Sequence, residues 1–298
     1  METPEKDVHE QETAEAMNAE LLATVSHELR SPLTSIIGYT ATLLRQERRI
    51  SREERQEFLL AIHEAGNHLE AIIDRFLEVS QLETGTITIE RTTVDASRIA
   101  REALLSAEQR ANERFPDSFT FHLRYKQATD RAGQQEPLVM ADPRLLRQVL
   151  DNLLDNAVNY SPEGGSIDIV LLPVQLPIAK VHGTNEEAAA DGHQGQSRED
   201  ETESGVDMQQ MLDIVVCDNG TGIPDEHLKS IFERFHRVDT SLTRTVNGLG
   251  LGLTICKRII ELHGGNIWAE SCSAGGSAFH VQLPLAEKNA EAELSQFL

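Results

Sequence analysis

The first third of the chain carries hydrophobic residues at the spacing of two α-helices. Between residues 13 and 46, apolar side chains fall on the a and d positions of a seven-residue repeat, with interruptions at Pro32 and Tyr39. The pattern stops at residues 48–50, and Ser51 with Glu54 then forms the signature of a capping box at a helix start. The apolar residues that follow are spaced alternately four and three apart, which predicts a more regular second helix. They are Phe58, Ile62, Ala65, Leu69, Ile72, Phe76 and Val79.

Two consecutive helices joined by a short turn form an antiparallel hairpin. A single hairpin cannot cover both of its apolar seams. We therefore predict that two copies of the chain pair into a four-helix bundle, which makes the protein a homodimer.

The spacing of hydrophobic residues changes after Gly85. From there on, segments with helical spacing occur together with segments in which apolar and polar residues alternate as in strands. This mixture predicts one layered α/β domain over residues 87–285. Three helices are predicted, at 95–113, 144–160 and 255–263, and the second begins with the capping pair Asp142-Pro143. The predicted strands cover residues 86–90, 118–125, 166–172, 212–217, 266–269 and 278–283.

A long polar stretch separates the predicted strands 166–172 and 212–217. It is rich in Gly, Glu, Ala, Gln and Asp and has no periodicity, so we predict a disordered acidic insertion at about 175–210. We also expect an acidic N-terminal tail over 1–15 and a frayed C-terminal tail over 286–298. The net charge of the chain is −22, and most of it falls in these three segments.

The acidity of the chain narrows the classes of partner. It disfavours duplex nucleic acid and anionic membrane surfaces, both of which attract basic proteins. Hydrophobic runs are too short to cross a bilayer, and residues 1–20 lack the pattern of a signal peptide. The three cysteines show no metal-binding spacing and are typical of a reducing cytosol, so we expect a cytoplasmic location.

The first candidate for chemistry is His27. When Leu22 is taken as heptad position a, His27 falls at f, the position that faces solvent most directly. It lies in the run Ser-His-Glu-Leu-Arg-Ser-Pro-Leu, residues 26–33. An exposed helical histidine is usually an ordinary surface residue, so its significance depends on the residues around it.

Three further motifs have the residue types of a nucleotide site. Asn152 and Asn156 lie four apart on a predicted helix, and their amide oxygens suit Mg²⁺ held mainly by phosphate and water. Asp218 ends an apolar strand and opens an Asp-x-Gly-x-Gly loop, where a carboxylate can accept a hydrogen bond from an adenine amino group. Glycines 248, 250 and 252 precede a helix whose N-terminal N–H groups can bind phosphate.

Each motif is weak alone, but their order is specific. Over residues 18–285 the motifs resemble those of two-component sensor histidine kinases and occur in the same order. In chain order they are the histidine box, the paired asparagines, the Asp-x-Gly-x-Gly loop, the Phe-Glu-Arg-Phe segment 232–235, the glycine loop and a final Gly-Gly pair. The resemblance implies a dimerisation and histidine phosphotransfer domain over 16–86. It also implies that 87–285 is an α/β sandwich ATP-binding domain of the type shared by gyrase, heat-shock chaperones, histidine kinases and MutL.

The resemblance also implies a role for each matching residue. ATP and Mg²⁺ are the implied cofactors, and the receiver domain of a response regulator is the implied partner. His27 accepts the γ-phosphoryl group, Glu28 orients it or acts as its base, and Asn156 binds Mg²⁺ beside Asn152. Residues from about 224 to 247 form a mobile lid. The implied nucleotide contacts are Tyr160, Asp218, Gly220, Gly222, Gly248, Gly250 and Gly252, with Arg234, Arg237 and Arg244 as candidate phosphate cations.

Several residues depart from the family pattern. Asn159 replaces a frequent lysine three residues after the Mg²⁺-binding asparagine, so one phosphate-facing charge is missing there. Ser31 stands where threonine or asparagine commonly positions water for dephosphorylation of the regulator, and Asn247 replaces a frequent glycine. Because serine also has a hydroxyl group, we expect Ser31 to take this role in any phosphatase reaction.

Two alternative functions share these motifs. The first is an autokinase-inactive nucleotide-binding scaffold, or a form that acts only as a phosphatase. The second is an ATPase of the topoisomerase or chaperone type, but such enzymes typically carry a glutamate where this chain has Asn152 and lack the His27 box. The intact motifs favour the autokinase.

Overall fold

A computed structural model describes residues 25–26, 28–45, 49–126, 137–177, 208–238, 250–272 and 275–286. The hairpin consists of α1, helical over residues 28–45, and α2, Arg52–Glu83. The capping box predicted at the start of α2 is confirmed, because Ser51 Oγ accepts from the Glu54 N–H at 3.1 Å and Glu54 Oε2 accepts from the Ser51 N–H at 2.9 Å. Tyr39 stacks on Phe58 at 5.5 Å between ring centroids and ties the two helices together.

The hairpin covers one apolar seam and leaves a second one open. Every residue of the predicted α2 seam is half-buried or buried. A different row of large apolar side chains stays at least 45% exposed. Such a stripe is typical of a surface that a partner helix covers. It consists of Leu33, Ile37 and Leu44 on α1, and Leu59, Leu60, Ile73 and Leu77 on α2.

The second part of the chain is a five-stranded sheet with helices on one face. Its strand order is β2-β4-β5-β7-β6, in which β2 and β4 run parallel and the other neighbours antiparallel. A separate antiparallel pair, β1-β3, lies beside it. The strands are β1 Thr92–Asp95, β2 Phe119–Tyr125, β3 Leu138–Ala141, β4 Gly165–Pro177, β5 Met208–Cys217, β6 Asn266–Ser271 and β7 Ser277–Pro284.

Alternation along the strands places one row of apolar residues under the helices. On β5, Leu212, Ile214 and Val216 are at most 1% exposed. They belong to the same buried cluster as the inner faces of three helices: α3 Ala96–Arg114, α4 Pro143–Asn159 and α5 Gly252–Leu262. The predicted helix–sheet layering is therefore confirmed.

The structure corrects several predicted boundaries. Residues 86–90 form no strand; β1 begins only at Thr92. Its partner β3 was not predicted, because four residues show too little alternation to separate them from a loop. The helix predicted over 255–263 begins earlier, at Gly252.

The acidic insertion is shorter than predicted. Strands β4 and β5 extend into it from both sides, and they stay paired up to Pro177 and Met208. Main-chain pairing keeps these ends ordered even where the side chains are exposed. The rest of the predicted insertion, residues 178–207, lies outside the described residues, as do the tail 1–15 and all of the tail 286–298 except Ala286.

Helix α2 also packs against the α/β domain. Its residues Ile72, Val79 and Leu82 belong to the same buried cluster as the core of the sheet and helices. Gln148 of α4 donates a hydrogen bond to Glu78 of α2. A cavity of about 380 Å³ separates this part of α2 from α5 and the preceding loop.

Candidate functional site

Two chambers lie side by side between the sheet, α4 and the start of α5. The smaller has a volume of about 80 Å³ and is bordered by Asp218, Ser277 and Phe279. The larger has a volume of about 340 Å³ and is bordered by α3, α4 and the residues around Gly250 and Gly252. The chambers open into each other, since six residues line both: Asn156, Tyr160, Ile231, His236, Arg237 and Leu253.

Asp218 forms the polar end of the smaller chamber. It follows directly on β5 and is 6% exposed. Its Oδ1 accepts from the backbone N–H groups of Gly220 at 2.8 Å and Ser277 at 3.3 Å, and its Oδ2 accepts from Ser277 Oγ at 2.5 Å. These donors fix the carboxylate in a pocket whose other walls include Ile223 and Phe279, which suits a flat ring with one polar edge.

Two glycines allow the backbone to close around Asp218. A Cβ on Gly220 would overlap the Tyr160 carbonyl oxygen, and a Cβ on Gly276 would overlap that of Asp218. Gly276 also has a φ of +85°, which disfavours any other residue. Gly220 thus lies against the Asp218 carboxylate, and Gly222 follows two residues later with a φ of +72°.

The larger chamber carries the paired asparagines. Asn152 and Asn156 lie one turn apart on α4 and both line it, as do Gly250 and Gly252. Helix α5 begins at Gly252, so its first N–H groups lie at this wall. The structure thus brings together the predicted residues Asn152, Asn156, Tyr160, Asp218, Gly220, Gly222, Gly250, Gly252 and Arg237 around two connected chambers.

Arginines from three parts of the chain line the larger chamber. Arg110 on α3 is paired with Asp155 at 2.8 Å and lies 3.5 Å from Asp151. Arg114, one turn later, donates from Nη1 to Asn159 Oδ1 at 3.1 Å. Arg75 of α2 and Arg237 complete the set. Sequence analysis missed Arg75, Arg110 and Arg114, because nothing local connects α2 or α3 with the motifs on α4.

The donor types in the larger chamber fit Mg²⁺ bound mainly through phosphate. The asparagine oxygens are hard ligands, whereas the carboxylate of Asp155 is already paired with Arg110. Among the described residues, no group of three or more His, Cys, Asp or Glu could hold a metal ion by itself. Burial raises the pKa of the Cys256 thiol beneath Asn152 to about 12, so it stays protonated and is a poor ligand.

The segment predicted as a mobile lid is in part packed. Ile231 and Phe232 are buried, and short 3₁₀ turns cover residues 225–227 and 230–232. His236 Nε2 lies 3.0 Å from Ser230 Oγ and 3.1 Å from His227 Nδ1, which ties the end of this segment back onto its start. The remainder of the predicted lid, residues 239–249, lies outside the described residues.

Some predicted residues are not brought to the chambers. Arg234 lines the cavity between α2 and α5 instead of either chamber. Glu28 and Ser31 lie on α1 and line neither chamber. His27, Gly248, Arg244 and Asn247 lie outside the described residues.

Two family models match the chain. Residues 17–85 match the His Kinase A (phospho-acceptor) domain. Residues 141–287, which include Asn152, Asn156 and Asp218, match the histidine kinase-, DNA gyrase B- and HSP90-like ATPase domain. The chain belongs to the two-component sensor histidine kinases. Within its described ranges, this histidine kinase has no helix that is both long and apolar enough to cross a membrane.

Curated relatives are similar over nearly all of the chain. The circadian input-output histidine kinase CikA of Synechococcus elongatus is 32% identical over 274 residues, which is 92% of this chain and 31% of that protein. The sensor histidine kinase WalK of Bacillus subtilis is 29% identical over 283 residues, 95% of this chain and 39% of that protein. The chain described here therefore spans 31% and 39% of the length of these two relatives.

Solved structures share the fold. Full-length ShkA, crystallised in complex with AMPPNP, has a TM-score of 0.55 at 24% identity and is matched over 90% of this chain and 46% of its own. The Acinetobacter baumannii histidine kinase AdeS has a TM-score of 0.55 at 19% identity, over 88% of this chain and 98% of its own. Both matches include the hairpin and the α/β domain.

Proposed function

We propose that this histidine kinase transfers the γ-phosphoryl group of ATP to His27 and then to an aspartate of a response-regulator receiver domain. The observation that carries the proposal is the pair of connected chambers, with the buried carboxylate of Asp218 at one end and asparagines and arginines at the other. A purine ring fits the first chamber and a triphosphate fits the second, so a nucleoside triphosphate accounts for both.

In this proposal the chambers bind and align ATP. Asp218 accepts a hydrogen bond from the adenine amino group, and Tyr160 packs near the ring at the junction. The N–H groups at Gly252 and the arginines of the larger chamber offset the charge of the phosphates. Asn156, with Asn152 beside it, would hold Mg²⁺, which when bound neutralises charge that develops between the β- and γ-phosphates.

Residues of the hairpin carry out the transfer. A neutral His27 attacks phosphorus through one ring nitrogen, the bond to the bridging oxygen breaks, and ADP leaves. Glu28 accepts a hydrogen bond from the other ring nitrogen and takes its proton as the ring becomes positively charged. The phosphoryl group then passes to the aspartate of the regulator and His27 returns to its neutral form. For a phosphatase reaction, in which water hydrolyses the phosphoaspartate of the regulator and releases inorganic phosphate, we assign Ser31 the task of positioning that water.

The protein acts as a homodimer in this account. The exposed row of apolar residues along α1 and α2 supports this, since pairing two hairpins would bury it in a four-helix bundle. We also propose a reducing, cytoplasmic setting, which agrees with three free cysteines and with the raised pKa of Cys217, about 11, caused by burial.

Incubation of the purified protein with γ-labelled ATP and Mg²⁺ tests the proposed function. The expected result is covalent label that is lost in acid and kept in base, as phosphohistidine is, and that moves to an added receiver domain. ATP binding without covalent label would instead identify a nucleotide-binding scaffold. Release of labelled phosphate without a labelled protein would identify a simple ATPase.

A further inference from the structure

The larger chamber contains an arginine whose charge is not matched by an acidic partner. Arg110 and Arg114 lie one turn apart on α3 and both line the chamber. Arg110 is neutralised by Asp155, with Asp151 close by. Arg114 instead donates to the neutral amide of Asn159, and among the described residues no carboxylate forms an ion pair with it. Its positive charge is therefore available to a ligand in the chamber.

The position of Arg114 suits the phosphate end of a nucleotide. Asn159 lies three residues after Asn156, at the last turn of α4, so its amide oxygen holds the guanidinium near the residues that line the junction of the chambers. Asn159 can serve this purpose because an amide accepts a hydrogen bond without cancelling the charge. The guanidinium has five N–H donors, and the bond to Asn159 uses only one of them.

We propose that Arg114 donates to the terminal phosphates of the bound nucleotide and that Asn159 is the residue that positions it. The inference rests on the proposed function only in taking the ligand to be a nucleoside triphosphate. It assigns to α3 a cation that the motifs of α4 and the glycine loop do not supply. Arg110 has a different role. Its ion pairs with Asp151 and Asp155 connect α3 with α4.

The test compares nucleotide affinities of the full chain by titration calorimetry. In Arg114→Gln, ATP and ADP should bind about tenfold or more weakly, since one charge-assisted hydrogen bond accounts for a factor of that size. AMP, which lacks the terminal phosphates, should lose less than about twofold. Arg101→Gln, an exposed arginine of α3 that lines neither chamber, is the matched control and should leave all three affinities unchanged.

Two further variants separate charge from structure. Asn159→Lys in the Arg114→Gln background returns a positive charge to the same wall and should recover most of the lost ATP affinity. Asn159→Ala removes the hydrogen bond to Arg114 but keeps the contact of its guanidinium with the Phe115 ring, and should weaken ATP binding by about two- to fivefold. Melting temperatures of all variants confirm that the fold is kept.

Several outcomes would overturn the inference. Equal losses for ATP and AMP would make Arg114 a structural residue, and an unchanged ATP affinity would show that it makes no phosphate contact. Failure of wild-type protein to bind ATP would overturn both this inference and the proposed function. ATP binding that depends on Arg114 in a protein that never labels His27 would leave the inference standing while the proposed kinase activity fails.

Discussion

At the scale of single residues, the site depends on donors and acceptors that come from distant parts of the chain. Asp218 was predicted from its own loop, but the Ser277 hydroxyl that fixes it lies 59 residues further along. The hydrogen-bond partners of His263 likewise include a residue that is distant in the sequence. It lies just after the last residue of α5, where a cation would complement the helix dipole. In the structure it is buried, donates from Nδ1 to the Ile259 carbonyl and accepts the Asp142 N–H at Nε2, which requires the neutral ring.

Asp218→Asn tests the adenine contact. The amide keeps one oxygen for the N–H groups of Gly220 and Ser277 but has an NH2 donor in place of the second oxygen and carries no charge. ATP affinity should therefore fall by roughly tenfold to 150-fold, the equivalent of about 1.5–3 kcal/mol. Competition binding provides the measurement. The assignment is wrong if GTP competes as well as ATP against the wild-type protein.

Gly276→Ala tests the close approach of the backbone at the same carboxylate. The new Cβ would overlap the Asp218 carbonyl oxygen at a φ that favours glycine, so both ATP affinity and melting temperature should fall. Gly66→Ala is the matched control. Nothing lies within 4 Å of its added Cβ in the middle of α2, and the change should stabilise the helix by up to about 1 kcal/mol. Equal effects of the two substitutions would contradict this account.

At the scale of elements, local signals predicted helices better than strands. The capping box at Ser51 and the Asp142-Pro143 start of α4 each involve neighbours in sequence, and both helices begin where predicted within a residue. Strand β3 depends on its pairing with β1. The paired residues Thr92 and Ala141 lie 49 residues apart in the sequence, so no short window contains both partners. The approach of α2 to α4 and α5 is also invisible in sequence, because it joins surfaces of separate domains.

Glu78 makes this α2–α4 contact sensitive to pH. Burial raises the pKa of Glu78, while the hydrogen bond from Gln148 and the charge of Arg75 act in the opposite direction. A raised pKa means that the contact is strongest below the ordinary value of 4.5 and weakens as pH rises through the raised value.

Glu78→Gln should therefore raise the melting temperature at pH 7, by about 1–3 °C, and lose this advantage near pH 4. The amide keeps an acceptor for Gln148 without the cost of burying a charge. Glu70→Gln, on an exposed part of α2, is the control and should show no such dependence on pH. Similar curves for the two variants would mean that Glu78 is not buried against α4 in solution.

At the scale of the whole molecule, motif order predicted the two-part architecture, but not how the parts meet. The seam from Phe58 to Val79 and the Asp-x-Gly-x-Gly loop each identify a domain, because the residues of each motif are close in sequence. The cations of the larger chamber were predicted less well. Arg234 faces the cavity beside α2, while Arg114 lies 45 residues from its partner Asn159.

Removal of residues 178–207 tests whether the acidic insertion matters to the fold. Pro177 and Met208 are paired directly, so a two-residue Asn-Gly turn can join them in register. The shortened protein should keep its melting temperature within a few degrees, because closing a shorter loop costs slightly less entropy. ATP affinity should also stay the same. Unfolding of the shortened protein would contradict the ends of β4 at Pro177 and β5 at Met208.

The measurement that tests the central claim most directly is labelling of His27→Ala with γ-labelled ATP and Mg²⁺, beside wild-type protein and Glu28→Ala. We predict acid-labile label in the wild type and none in His27→Ala, with ATP affinity kept within about threefold because every residue that lines the chambers, except Arg75, belongs to the other domain. Labelling of Glu28→Ala should be slower by ~10²–10⁴, the usual contribution of a positioned acid–base group. Equal labelling of His27→Ala and the wild type would contradict the account and assign the phosphoryl group to another residue.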